Sequence, residues 1–329
     1  MPAALQRFQA AVVGLALVFV PLAMAWDDRG HMLVAMIAYQ ELKPDVRERV
    51  DEILRHHPQY DLLTEGAPEA GRDRDMYAFA KAATWPDMVR STNNPLHSEE
   101  SHAHWHFVDF PYSPDGTRGP EPVEAWDGHS NPANLLQAMQ EVSHGLKAES
   151  TTPERRAIDL CWVEHLVGDV HQPLHACTMF SAQFPKGDNG GNSFAVKRGE
   201  TPTSLHTYWD GVLGRGTSFE TLRRQIEGFR DNPELTRTKL GAEHTRGDVI
   251  AWAKESRQIA EKDVYVEGKL KGAHHSGTRD YPRDTPELPS DYEEMAKHLA
   301  AKRVVLAGYR LADEIAAVVG AQAVEPRRH

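Results

Sequence analysis

The tightest constraint on this chain is a run of histidines and aspartates at helical spacing. In Glu164-His165-Leu166-Val167-Gly168-Asp169 the histidine and aspartate stand four apart, which on a helix puts both side chains on one face. Pro173 then ends the helix, and His175 follows it closely enough to turn back toward the same space. Leu205-His206-Thr207-Tyr208-Trp209-Asp210 repeats the His-x-x-x-Asp pair. One such pair reads as a hydrogen-bonded couple on a helix surface. Two pairs with a further histidine beside the first read as metal ligands, since imidazole and carboxylate are donors that zinc takes.

Other segments carry the same chemistry. Thr84-Trp85-Pro86-Asp87 ends a helical pattern in a carboxylate, and His104-Trp105-His106-Phe107-Val108-Asp109 follows. On an extended stretch His104 and His106 would share a face, although His102 and His104 also fit exposed loop positions. In Trp26-Asp27-Asp28-Arg29-Gly30-His31, a free amine at Trp26 and its carbonyl would chelate a metal, and His31 would complete the set. An α-amine with a pKa near 8 yields its proton to a metal. His171 reads as a helper of ligands or a helix-end hydrogen bonder. His56, His57, His274 and His275 read as solvent-exposed.

The Trp26 ligand requires cleavage before it, and the N-terminus predicts that cleavage. Arg7 is the one charge among residues 1–25, Ala10 to Leu22 is largely apolar, and Ala23-Met24-Ala25 has the small-x-small pattern of a signal-peptidase site. The apolar run is short for a transmembrane anchor. The expected mature protein starts at Trp26, is periplasmic or secreted, and has no integral membrane anchor. Two cysteines in 329 residues exclude a disulfide scaffold; Cys161 and Cys177 fit either two buried thiols or a bridge. A net charge of −11 argues against tracking duplex DNA with a basic face, but not against a nucleic acid held by bound cations.

The periodicity predicts one predominantly α-helical domain over 26–329, with the tail after about 320 disordered. Helical patterns run over 30–42, 46–54, 74–90 with a kink near Pro86, 132–148, 153–170, 218–229, 247–262 and 291–319. Residues 91–131 and 266–290 read as loops. Residues 181–203 read as a loop with a small β-hairpin around Phe194-Ala195-Val196.

Taken together these segments resemble the S-one/P-one family of zinc-dependent, single-strand-preferring nucleases, relatives of bacterial zinc phospholipase C. The matching pieces are Trp-x-x-x-Gly-His at 26–31, Trp-x-Asp at 85–87, His-Phe-Val-Asp at 106–109, His-x-x-Gly-Asp-x-His-Gln-Pro-Leu-His at 165–175, Gly-Gly-Asn at 190–192 and Leu-His-x-x-Trp-Asp at 205–210. The resemblance implies an all-α fold with a trinuclear zinc cleft. One ion would be held by Asp87, His106, His165 and Asp169. A second would take the Trp26 amine and carbonyl, His31 and the shared Asp169, and a third would take His175, His206 and Asp210. It further implies that Asp87 orients the attacking water, that Arg90 contacts phosphate, and that Asp109 and Asn192 bind a nucleobase. The substrates implied are single-stranded DNA or RNA and nucleotides, cleaved to 5′-phosphate products, with no stable protein partner. Asp27 stands where the family has Gly, and the loop from His175 to Asn192 is longer than in fungal members. Two other readings compete: a zinc phospholipase C, in which the last ligand is usually Glu rather than Asp210, and a non-catalytic exported zinc-binding protein, which His-rich tracts absent here would favour.

Overall fold

The protein is described here from a computed structural model that covers residues 26–277 and 280–320. The expected leader at 1–25 and the tail after 320 lie outside the described residues. No helix among them is long and apolar enough to cross a membrane.

The architecture is predominantly helical. In chain order the helices are α1 (Asp28–Glu41), α2 (Pro44–Arg55), α3 (Tyr60–Leu63), α4 (Arg72–Ala82), α5 (Trp85–Met88), α6 (His97–Glu100), α7 (Leu135–Lys147), α8 (Pro153–Val170), α9 (Leu205–Asp210), α10 (Phe219–Arg230), α11 (Arg237–Leu240), α12 (Val249–Ile259) and α13 (Tyr292–Val318). Strands are short. β1 (Pro111–Tyr112) pairs parallel with β2 (Thr178–Met179), and β3 (Phe194–Arg198) lies antiparallel between β4 (Thr201–Ser204) and β5 (Ala273–His274). The β3–β4 pair is the expected hairpin.

α8 is the central element. It packs against α1, α2, α4, α7, α12 and α13, and every residue from Ala157 to Val170 is buried. A helix enclosed on all sides needs apolar residues around its circumference; α8 supplies them except at Asp159, Glu164, His165 and Asp169. The Thr152 side chain accepts from Arg155 N at 3.2 Å, and Pro153 sits where its missing N–H costs nothing. α1 is also buried along its length, against α13 and α4. Asp27 caps it, accepting from Gly30 N at 3.2 Å.

Three expectations are corrected. The pattern over 74–90 is not one kinked helix: α4 stops at Ala82 and α5 restarts at Trp85. Pro86 has no N–H to offer the carbonyl four residues earlier, so the break falls before it. Residues 91–131 hold α6, a 3-10 turn at Ala103–His106 and β1. That turn replaces the extended stretch imagined for His104 and His106, so the two do not share a face: His106 is buried and His104 exposed. His57 and His275 are buried rather than solvent-exposed. His57 meets the Trp85 ring edge-on at 4.8 Å, and His275 stacks on Tyr281 at 4.2 Å; aromatic contact removes both imidazoles from water. Cys161 and Cys177 are buried, free thiols.

Candidate metal centre

Three sets of His and Asp donors converge: His31, His165 and Asp169; Asp87, His106 and His165; His175, His206 and Asp210. Within each, the potential ligand atoms lie within 4.8 Å of one another. Asp169 stands between the sets. Its Oδ1 is 3.3 Å from His31 Nε2 and 3.7 Å from His175 Nδ1. Its Oδ2 is 3.1 Å from His165 Nε2 and 3.3 Å from His106 Nδ1. His106 and His165 face each other at 2.8 Å, and His175 and His206 bring their Nε2 atoms to 3.1 Å.

Backbone carbonyls fix which nitrogen faces inward. Nδ1 of His165 donates to Ala83 O at 2.8 Å, Nδ1 of His175 to His106 O at 2.7 Å, and Nδ1 of His206 to Gly190 O at 2.6 Å. Each of these rings therefore keeps its proton on the outside and turns the Nε2 lone pair toward the centre, the arrangement that orients metal-binding histidines. The break between α4 and α5 leaves Ala83 beside α8, where its carbonyl meets His165. Gln172 donates from Nε2 to Asp210 Oδ1 at 2.8 Å while its own Oε1 accepts from Leu174 N at 2.6 Å.

Glycines clear the space. A β-carbon at Gly168 would lie 2.6 Å from His31 Nδ1, so Gly168 is what allows the His31 ring to stack on His165 at 4.0 Å. A β-carbon at Gly30 would lie 2.6 Å from Cβ of the fully buried Trp26. Gly190 takes a φ of +57°, and a β-carbon there would lie 2.6 Å from Leu174 O. The spacings Gly-His and Gly-Asp held this information in the sequence; the glycines and Gln172 had not been read as parts of the site.

The electrostatics suit a cation. Burial pushes the Asp169 carboxyl up, but the neighbouring imidazoles of His165 and His175 outweigh it and hold the group well below its usual range. Burial lowers His165, and the charges of Asp169 and Asp87 reverse this to about 9. Burial depresses His106 to about 4. It lifts Asp210 well above the carboxylate range, against the Gln172 hydrogen bond, and the charges of Asp27, Asp87 and Asp169 add to the rise. The donors fit a metal by a stricter test: His31 Nε2 and both oxygens of Asp169 are buried without a hydrogen-bond partner. Leaving such groups unsatisfied is costly, and divalent cations would satisfy them together.

The remaining predicted residues lie around this centre. Arg90 reaches Asp87 Oδ1 from Nη1 at 3.2 Å. Asp109, exposed, accepts from Thr178 Oγ1 at 2.5 Å. Asn192 is buried and donates to Asn189 O at 3.0 Å, a turn-forming contact. Trp26 is buried, and the adjoining Asp27 N donates to Asp210 O at 3.2 Å, which ties the start of α1 to α9. Asp27 itself lines a cleft of about 380 Å³ together with Asp210 and Arg215. His102 is half-buried and stacks on Trp105 at 3.9 Å. His171 lies behind the centre: its Nδ1 donates to Val167 O and its Nε2 accepts from Arg310.

A helical domain with His and Asp donors gathered at its core has the means to hold metal ions, and sequence comparison makes the assignment. Residues 26–320 match the S1/P1 Nuclease family. The chain belongs to that family and is a hydrolase acting on phosphodiester bonds. It is 24% identical to Endonuclease 1 of Arabidopsis thaliana over 88% of this chain and 85% of that protein. It is 21% identical to Endonuclease 2 of the same plant over 75% of each. Nuclease S1 of Aspergillus oryzae is 27% identical over 57% of this chain and 54% of its own length.

Proposed function

We propose that the chain is an exported, zinc-dependent endonuclease and 3′-nucleotidase that hydrolyses single-stranded DNA or RNA to 5′-phosphate products. The observation that carries this reading is the position of Asp169, whose two oxygens face different imidazoles while a separate His175, His206 and Asp210 set stands alongside. Donor sets made only of imidazole and carboxylate suit zinc. We assign one zinc to Asp87, His106, His165 and Asp169, one to Trp26, His31 and Asp169, and one to His175, His206 and Asp210.

Bound zinc supplies Lewis-acid charge and a water that deprotonates near neutral pH. The chain's residues do the rest. Asp87 holds and orients the attacking water through its carboxylate. Arg90, beside Asp87, contacts a phosphate oxygen. Asp109 and Asn192 hydrogen-bond the nucleobase, Asp109 from the exposed rim and Asn192 from the turn at 189–192. The acidic surface repels a polyanion, so affinity rests on these contacts and the bound cations.

The deciding experiment is metal analysis together with product analysis on protein beginning at Trp26. We expect three zincs per chain and 5′-mononucleotides from single-stranded nucleic acid. Release of diacylglycerol from phospholipid without nucleotide release would replace this reading with a phospholipase C. Three bound zincs with no hydrolysis of either substrate would leave a zinc-binding protein.

A further inference from the structure

A second polar site lies behind the metal centre, between α12 and α13. Arg303 and Arg310 stand seven residues apart on α13, two turns along one face. They are 4% and 2% exposed, although arginine is seldom buried this deeply. Both line a cavity of about 440 Å³ whose wall includes Leu240, Ile259 and Leu306, with Lys262 and Gln258 exposed at its edge.

The buried charge there is under-compensated. Glu255 accepts from Arg310 with both oxygens, at 2.7 and 2.9 Å, and meets Arg303 Nη1 at 3.4 Å. His171 adds no charge, because its Nε2 accepts from Arg310 Nη1 at 2.9 Å while its Nδ1 donates to Val167 O. One carboxylate therefore faces two guanidiniums. Asp263 and Lys262 at the cavity wall cancel one another. Arg310 Nε is buried without a hydrogen-bond partner. Burial and the neighbouring Arg310 lower Arg303 to about 10 despite Glu255. A surplus cation in low dielectric attracts an anion strongly, and a phosphate oxygen arriving beside Glu255 would share the guanidinium donors that Glu255 now holds.

We propose that this cavity is an anion site for a phosphate monoester, with the phosphate on the Arg303 and Arg310 side and the body of the ligand against Leu240, Ile259 and Leu306. Its volume is in the range of small-molecule sites. The cavity wall also holds the end of α8. Arg303 Nε donates to His171 O at 3.2 Å, Arg303 Nη2 to Ser256 Oγ at 2.7 Å, and Ser256 Oγ to Val170 O at 2.5 Å. An anion here thus grips the framework that carries Asp169 and Gln172. The site rests on its own charges and stands independently of the nuclease reading.

Removing Arg303 or Arg310 would risk the fold, so the test uses the exposed edge. Gln258→Glu combined with Lys262→Glu adds negative charge at the mouth and touches no metal ligand. Calorimetric titrations of metal-loaded wild type and double variant would be run with inorganic phosphate, a 5′-mononucleotide and the matching nucleoside. We expect wild type to show a phosphate-dependent binding event beyond the metal centre, weakened about tenfold or more in the variant by added repulsion, with phosphodiesterase activity at saturating substrate unchanged. Tighter binding of mononucleotide than of inorganic phosphate is expected from the apolar wall; equal binding would overturn the monoester and leave a site for free phosphate. Identical isotherms for the two proteins, or nucleoside binding as tight as nucleotide, would overturn the proposal.

Discussion

A β-carbon on Gly168 would lie 2.6 Å from Nδ1 of His31. The two residues come from α8 and α1, and their fit is what lets His31 face Asp169 Oδ1 at 3.3 Å. His31 is fully buried, so its ring is placed by packing against Gly168 and His165 and by the facing Asp169 carboxylate.

Gly168→Ala is therefore expected to displace His31 without disturbing the His175, His206 and Asp210 set. Alanine favours the helix by about 1 kcal/mol, so the variant should fold. Its bound metal should fall by about one ion per chain, with activity down tenfold or more. Wild-type metal content would show that the ring finds another position.

Gln172→Ala should weaken the other side of the centre. Gln172 holds one oxygen of Asp210, a contact of the kind whose loss typically costs about 10–100-fold in metal affinity. Competition with a graded series of chelators would read this as one ion leaving early while the others stay.

Asp169→Asn and Asp87→Asn separate two roles. Asp169 contacts both the His31 side and the His165 side, so its neutralisation should lower metal content and rate together. Asp87→Asn should lower rate with a smaller loss of metal. Elemental analysis of both purified variants decides; unchanged metal in Asp169→Asn would rule out a shared ligand.

The proposed mature start at Trp26 gives a further test. Protein carrying a methionine before Trp26 converts the amine to an amide, a poor zinc donor at neutral pH. It should fold, bind about one zinc fewer and hydrolyse single-stranded nucleic acid much more slowly, because a zinc-activated water is the proposed nucleophile. A side-by-side assay against protein that begins at Trp26, with zinc measured in each, would refute the N-terminal ligand if both values matched.

Stability should carry a pH signature away from the metal. Asp188 is fully buried and accepts from Tyr265 Oη at 2.7 Å and Met179 N at 2.9 Å. Burial pushes its pKa up to about 6 from 3.8. Between those values the folded state binds the extra proton, so this contribution is present below about pH 4 and is lost as pH rises through 6. The limit is ~3 kcal/mol. Urea unfolding of metal-free wild type and Asp188→Asn from pH 4 to 7 should show a steeper dependence in wild type than in the variant, because Asp27, Asp51 and Asp159 titrate in the same range in both.

The local signals survived folding where they were strongest. Thr152-Pro153 opened a helix and α8 ran to Val170 as its periodicity predicted, while Phe194–Arg198 and Thr201–Ser204 formed the hairpin. α7 began at Leu135 rather than Pro132 because Asn134 accepts from Leu136 N and Gln137 N. His104 and His106 were misread because a 3-10 turn and a strand place alternate residues differently. His57 and His275 were misread because a polar residue beside other polar residues carries no sign of the ring it will stack on.

By itself the sequence determined the His-x-x-x-Asp pairs and the helical periods that bring each pair to one face, because these are relations within one turn of helix. Tertiary structure decided which nitrogen of each imidazole faces the centre. The carbonyls that set this lie 82, 69 and 16 residues away from His165, His175 and His206, and no local pattern encodes a partner at that distance. It also decided that α1 would deliver His31 against Gly168, since the clearance between two helices belongs to their packing and to neither sequence alone.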